Sequence, residues 1–508
     1  MPSSSQWSRD FSRVASVRSN LLQLVGCLGA ILAVGLVPTP AQAQFSFRPD
    51  IQSDKNKPKT AADFARVEAD AAHQRGDYST VVEVANRLLQ IDPTDHVAYH
   101  FRASAQIELG RNAGSTKLIR DGIADSRQAL ALAGNRYVWL YLPYLYGMTS
   151  LSQVEGKPQH VETCIQVVTP ILERPTLQPS DKAQLYYQRG YAYRTKGDSK
   201  LALADLNEAL RLAPDHLGAH LQRAELHAAS GDTKTALASY DRAAETFPTV
   251  AVVFNDRGAL RRSSGNLDGA ISDFTRAVQI DPKFSMGYLN RAICATDRNE
   301  HETADSDFTR SLQIDPNQIL ALRLRGNSRL ALGRLDPAQA DFSAAIKLSA
   351  DYADGYEDRG FARMYSGKFA ESAADFAKAR TLNPQLTHLA TWQAIATWRA
   401  NPTAVDTKVK VLSADLEGPK ALQGWNVHVA KFLLGGEDAT ALLAATAEQG
   451  QNSKSERACE AHYFIGQKSL LEGDATAAAE HFREAVKTGA THLAAYRGAR
   501  YELKDFKN

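Results

Sequence analysis

Small, aromatic and polar positions recur along residues 183–384 in a frame of about 34 residues, repeated six times from Ala183, Leu217, Ala251, Ser285, Ile319 and Ala353. Position 8 is always small, as Gly190, Ala224, Gly258, Ala292, Gly326 and Gly360. Position 20 is Ala202, Ala236, Ala270, Ala304, Ala338 and Ser372. Position 24 is large and apolar: Leu206, Tyr240, Phe274, Phe308, Phe342 and Phe376. Position 15 is Gly197, Gly231, Gly265, Asn299, Gly333 and Gly367, residue types that suit a left-handed helix C-cap. Pro214, Pro248, Pro282, Pro316 and Pro384 close all units but one, where Ala350 stands, and proline cannot continue a helix. Each unit therefore predicts a helix, a tight turn and a second helix. Small residues let the two approach, and the residue at position 24 fills the space between them. Apolar faces of this kind are buried only by the neighbouring units.

These slots closely resemble the tetratricopeptide repeat family, whose pattern is small at 8, Ala at 20, aromatic at 24 and Pro at 32. The resemblance implies an all-α, right-handed solenoid of stacked helix–turn–helix repeats, expected here as about ten helix pairs with one continuous core. It does not name a function.

Irregular units flank the regular block of residues 183–386. Upstream, residues 62–182 hold three of them. The first has Ala69, Gly76 and Pro93 in the expected slots. In the second, Leu109-Gly110 is expected to end a helix, and about seven extra residues around Asn112–Asp121 to lengthen the loop. The third carries Pro143, a candidate kink, amid Tyr137, Trp139, Tyr141, Tyr144 and Tyr146. Downstream, the pattern decays over 387–458, with two helical segments split by Gly435-Gly436. A last unit and a terminal helix, with charged Arg497, Arg500, Glu502 and Lys504, fill 459–508. A polar-faced end helix suits a solenoid, whose last apolar face has no following repeat.

The first 61 residues lie outside the array. Arg9, Arg13 and Arg18 precede a mostly apolar run, Leu21 to Val37, and then Ala41-Gln-Ala43. This reads as a secretory signal, residues 1–43, cut after Ala43. Two rivals are a lipidated Cys27 after Leu24-Val-Gly and an uncleaved anchor at the short limit for spanning a bilayer. Residues 44–61 read as a flexible leader. Export places the chain in the periplasm, with an outer-membrane lipoprotein as the alternative.

Loss of the signal removes three arginines and Asp10 from 59 basic and 57 acidic residues, so the mature chain is balanced. Balance excludes the basic face that nucleic acid needs. The remaining Cys164, Cys294 and Cys459 are too few for a disulfide framework and read as buried hydrophobes. His96/His100 and His216/His220 have helical i, i+4 spacing, yet no companion motif completes a four-ligand metal site. There is no HExxH, GxSxG or GxxxxGK[ST]. No cofactor, metal or catalytic residue is expected.

Arginine holds position 7 of all six regular units, and Asp holds position 23 in five of them. This is read as a ladder fastening helices together rather than as a line of cations for a ligand. In the repeat family the first helices line a groove through positions 2, 5, 9, 12 and 13. Carried over, the resemblance implies groove residues Tyr141, Tyr144, Tyr187, Tyr191, Arg194, Asn255, Arg323, Asn327, Phe361 and Tyr365. Arg323 with Asn327 resembles part of a clamp for a peptide carboxylate, with Asp358 where that clamp has Asn. The two tyrosine pairs read either as a binding hot spot or as packing of the irregular junction.

A narrower resemblance covers about a fifth of the chain. Gly424-Trp-Asn-Val, Phe432-Leu-Leu-Gly435, Cys459-Glu-Ala-His-Tyr-Phe-Ile-Gly466 and Arg500-Tyr-Glu-Leu503 are similar to the NlpI-type repeat lipoproteins of Gram-negative envelopes. That family implies an adaptor presenting cell-wall hydrolases to a protease. The expected function is an exported scaffold binding envelope proteins or peptide segments, attached to a membrane only through an uncleaved or lipidated N-terminus. The alternative is a cell-wall polymer binding or processing protein.

Overall fold

In the computed structural model the described residues are 60–134, 137–402, 412–413, 416, 422, 424–447 and 454–506. The readings on the signal, Cys27 and nearly all of the leader lie outside them, as does most of 403–423. Among the described residues there is no strand, and no helix is long and apolar enough to cross a membrane. The chain divides between Asn266 and Leu267 into two compact units.

The first unit runs α1 (Ala61–Gln74), α2 (Tyr78–Ile91), α3 (His96–Asn112), α4 (Thr116–Leu132), α5 (Tyr141–Glu155) and α6 (Gln159–Leu172). It continues with α7 (Pro179–Lys196), α8 (Ser199–Leu212), α9 (Leu217–Ala229), α10 (Thr233–Thr246) and α11 (Ala251–Ser263). The second runs α12 (Leu267–Ile280), α13 (Ser285–Asp297), α14 (His301–Ile314), α15 (Ile319–Ala331), α16 (Leu335–Leu348), α17 (Ala353–Tyr365), α18 (Phe369–Leu382) and α19 (Leu389–Ala400). Then come α20 (Trp425–Leu434), α21 (Ala439–Ala445), α22 (Lys454–Leu471), α23 (Ala475–Lys487) and α24 (Ala494–Glu502).

The turn at position 15 is a chirality effect. Gly197, Gly231, Gly265, Gly333 and Gly367 have φ between 73 and 90°, and Asn299 takes φ 61° where no glycine stands. An aspartate often follows and caps the second helix, as Asp198 does by accepting the Leu201 amide at 3.1 Å.

Position 8 is small because a ring lies against it. A Cβ on Gly326 would stand 2.5 Å from Cε1 of Phe342, and one on Gly360 would stand 2.7 Å from Cε1 of Phe376. Phe274, Phe308, Phe342 and Phe376 are all fully buried. Buried apolar residues gather in successive clusters within each unit rather than in one continuous core, since each repeat touches mainly its neighbours.

Three local expectations are corrected. The extra residues of the second irregular unit extend both helices to 17 residues, and the turn is only Ala113–Ser115. Gly110 does not end α3; it lies within it, where a Cβ would meet Ile119 at 2.8 Å. Pro143 occupies the first turn of α5, where its missing N–H has no helical partner to lose, so it has no interior hydrogen bond to break.

The terminal helix departs further from expectation. It does cover the last repeat: Ala495, Gly498 and Ala499 are buried, and a Cβ on Gly498 would lie 2.6 Å from the Tyr463 ring of α22. Glu502 is not solvated, however. It accepts from Arg399 of α19 at 2.9 Å and from Gln467 of α22 at 2.7 Å. With that anchor α24 lies across first helices far upstream. Tyr365 donates to the Ala494 carbonyl at 3.0 Å, and Tyr501 donates to the Leu330 carbonyl at 3.3 Å. The Tyr365 and Tyr501 rings stack at 5.2 Å.

Candidate functional site

The arginines at position 7 are fastening elements. Arg189 and Asp205 pair through two bonds of 2.7 and 2.8 Å, and Arg291–Asp307, Arg325–Asp341 and Arg359–Asp375 repeat that fork. The other guanidinium edge donates to a hydroxyl of the preceding repeat, as Arg325 does to Thr309 and Arg359 to Ser343, both at 3.1 Å. An aromatic ring covers the cation's face, as Tyr186, Tyr288 and Tyr356 do for Arg189, Arg291 and Arg359. The pattern extends upstream to Arg102 and Asp125, which the sequence reading did not assign. Arg223, whose unit has Ser239 at position 23, donates to Asn207 at 3.4 Å, and burial pulls its guanidinium below the ordinary value. The forked cations are not free to hold a ligand.

In the first unit, the implied groove residues separate by burial. Tyr141 and Tyr144 lie in the core of the irregular junction beside Leu145 and Leu185. Tyr187 is 6% exposed and its ring lies 4.6 Å from that of His216. Tyr191 reaches solvent, its hydroxyl accepting from Gln153 at 3.0 Å. Arg194 pairs with Glu225 at 2.6 Å and with Gln222. Asn255 is buried and donates to Asp256 at 3.1 Å. Burial, with Glu225 nearby, pushes the Asp256 carboxyl up to about 7.

The tyrosines thus divide into core and surface, with different consequences. Tyr187→Ala is expected to cost about 2 kcal/mol of stability in a chemical denaturation, since it opens a buried space. Tyr191→Ala should leave the midpoint unchanged and alter only binding. Equal midpoint shifts for both would contradict that division.

The histidine pairs are structural. His216 caps α9 by accepting the Ala219 amide at 3.2 Å and donates to Gln184 at 2.9 Å. His220 donates to the Pro214 carbonyl at 2.8 Å. The Trp139 ring meets His100 edge-on at 4.7 Å. Burial holds His216 down at about 4 and His100 at about 3, so both stay neutral. Among the described residues no group of three His, Cys, Asp or Glu could hold a metal. Cys164, Cys294 and Cys459 are fully buried.

In the second unit the groove is largely furnished by the chain itself. Phe361 is buried against Phe376 and Trp392, with 5.0 Å between ring centres in both pairs. Tyr365 is covered by α24, and burial raises its phenol. Arg323, one half of the implied clamp, donates to Asp354 and Asp358, each at 2.6 Å. Burial works against its charge, but Asp358, Tyr352 and Asp354 hold it above its ordinary value. Asn327 lies 3.5 Å from the same Asp358. Both clamp residues are therefore engaged internally.

What α24 leaves open is a cavity of about 760 Å³ between it and the first helices α13, α15 and α17. Asn299, Leu324 and Asn327 border it on one side, and Arg497, Arg500 and Lys504 on the other. The sequence did not reveal it, because the two walls are brought together only by the return of α24.

Residues 187–251 match the tetratricopeptide repeat family model. No curated protein matches the chain. Among solved structures, PilF of Pseudomonas aeruginosa is 19% identical over 41% of this chain and 94% of its own, with a TM-score of 0.37. A tetratricopeptide repeat protein from Parabacteroides merdae is 15% identical over 63% and 99%, with a TM-score of 0.35. YrrB, described as a TPR protein with an unusual peptide-binding site, is 18% identical over 35% and 92%, with a TM-score of 0.32.

Proposed function

We propose that this chain, a tetratricopeptide repeat protein, is an exported, non-enzymatic adaptor that binds protein partners of the bacterial envelope through its first helices. One observation carries the binding reading: a roomy cavity, walled by first-helix side chains and by α24, where polar side chains meet leucines. Its volume of about 760 Å³ falls in the range of sites that enclose a ligand. The basic flank, apolar run and Ala41-Gln-Ala43 of the first 43 residues support export to the periplasm. Tyr141, Tyr144 and Tyr187 are buried, so these rings are presented neither to a sugar polymer nor to a peptide, and the α24 cavity is the surface the reading rests on.

The mature chain, immobilised through its C-terminus and incubated with envelope extract, is expected to retain discrete proteins that also cross-link to it in cells. Retention by isolated cell wall alone, with no protein cross-linked, would reverse the reading. Sequencing the N-terminus of the envelope form should begin at Gln44. A start at Met1 would overturn cleavage, and a lipid on Cys27 would make the chain a lipoprotein.

A further inference from the structure

In the second unit the position-7 arginines Arg291, Arg325 and Arg359 are neutralised where they stand, and so are their neighbours. Arg329 pairs with Asp305 and Asp341, Arg334 with Glu302 and Asp305, and Arg363 with Glu371 and Asp375. The cations of α24 and the turn after it break this rule. Arg497, Arg500 and Lys504 are spaced three and four residues apart, which sets them on one side of the segment. All three border the cavity, and among the described residues none has a carboxylate within ion-pair reach. Arg497 donates to the His492 carbonyl at 3.0 Å, Lys504 lies over the Tyr501 ring at 4.4 Å, and Arg500 is exposed. The single carboxylate among the lining residues, Asp358, is held by Arg323 at 2.6 Å. The cavity therefore carries an uncompensated positive wall.

We propose that this cavity takes an acidic peptide segment, whose side-chain carboxylates face Arg497, Arg500 and Lys504. This rests on the reading of the chain as a protein-binding adaptor and names the chemistry of its partner. The opposite wall is what separates a peptide from a bare polyanion. Asn299 is exposed and offers an amide of the kind that pairs with a peptide main chain, and half-buried Leu324 offers apolar surface for side chains between the acids. A cavity of about 760 Å³ exceeds what a single carboxylate or phosphate fills. Two of the cations remain exposed, so attraction is expected to weaken as salt screens them.

The test uses the mature full-length chain and a fluorescein-labelled, C-terminally amidated peptide of alternating Glu and Leu. Its twin carries Gln for every Glu, and a third peptide is the Gln twin with a free C-terminal carboxylate. Fluorescence anisotropy is expected to give saturable binding of the Glu peptide alone, weakening with added salt. The R500Q/K504Q double variant should bind at least about tenfold more weakly with an unchanged helical circular dichroism spectrum, since both side chains are exposed. The proposal is overturned if the Glu peptide does not bind, if the double variant binds it equally well, or if the amidated Gln twin matches it. Capture of the free-carboxylate peptide alone would overturn it in favour of end recognition, and equal binding of dextran sulfate would reduce the site to a generic polyanion sink. Envelope proteins cross-linking undiminished to the double variant would leave the adaptor reading standing while this inference falls.

Discussion

Asp341→Ala is expected to lower the unfolding free energy by about 3 to 5 kcal/mol, the range for breaking a buried ion pair from one side. Asp341 is 4% exposed and answers two arginines, bonding Arg325 through both oxygens at 2.7 and 3.0 Å and Arg329 at 2.8 Å. Its loss leaves the Arg325 charge buried with only the Thr309 hydroxyl as acceptor, whereas Arg329 keeps Asp305. The damage should therefore fall chiefly between α15 and α16. Urea denaturation with hydrogen exchange resolved by helix measures both size and place. Replacing both partners, Asp341→Leu with Arg325→Met, should recover much of the loss, because the desolvation penalty disappears with the charges. A single variant costing under about 1 kcal/mol would mean that water or a neighbouring acid replaces Asp341.

Phe376→Ala should cost about 3 to 5 kcal/mol, the range for deleting a buried ring. The ring is fully buried, lies against the bare Cα of Gly360, and meets Phe361 edge-on, which in turn meets Trp392 of α19. Small residues on either side cannot expand into the space, so collapse is limited. Phe376→Leu keeps most of the volume and should cost clearly less. Thermal unfolding followed by circular dichroism ranks the two. If Leu and Ala cost the same, the ring's edge contacts rather than its volume set the energy.

Much of the fold was legible because its rules are local. A residue that must adopt positive φ is nearly always Gly or Asn, so position 15 betrayed each turn, including the one at Asn299. The Arg–Asp fork was legible because its partners sit at a fixed offset of 16 residues within each of four regular units. At Arg102 the offset is 23, since both helices of that pair are longer, and the same fork went unread.

The candidate site was much less legible. Groove positions could be counted from the period, but what covers them could not. Phe361 and Tyr365 occupy slots that face outward in an isolated repeat. Here a helix from the far end of the chain shields Tyr365, while Trp392 packs on Phe361. Tyr141 and Tyr144 are buried because the irregular third pair packs against Leu185 and its neighbours, outside the regular frame. That Arg497, Arg500 and Lys504 lack a carboxylate partner among the described residues required seeing where the acids around them, such as Asp358 and Glu502, are held.

The return of α24 also sets an order of events during synthesis. A repeat array can consolidate from its start as it emerges, since each pair needs only the next. The Tyr365–Ala494 and Tyr501–Leu330 bonds instead join residues 129 and 171 apart in the chain. Contacts of that span form late, after the entropy of closing so long a loop is overcome. Every nascent molecule therefore passes through an interval in which α15 and α17 are assembled and their groove is bare. A message cut short before Ala494 would make that interval permanent, releasing an array whose Tyr365 has lost its cover.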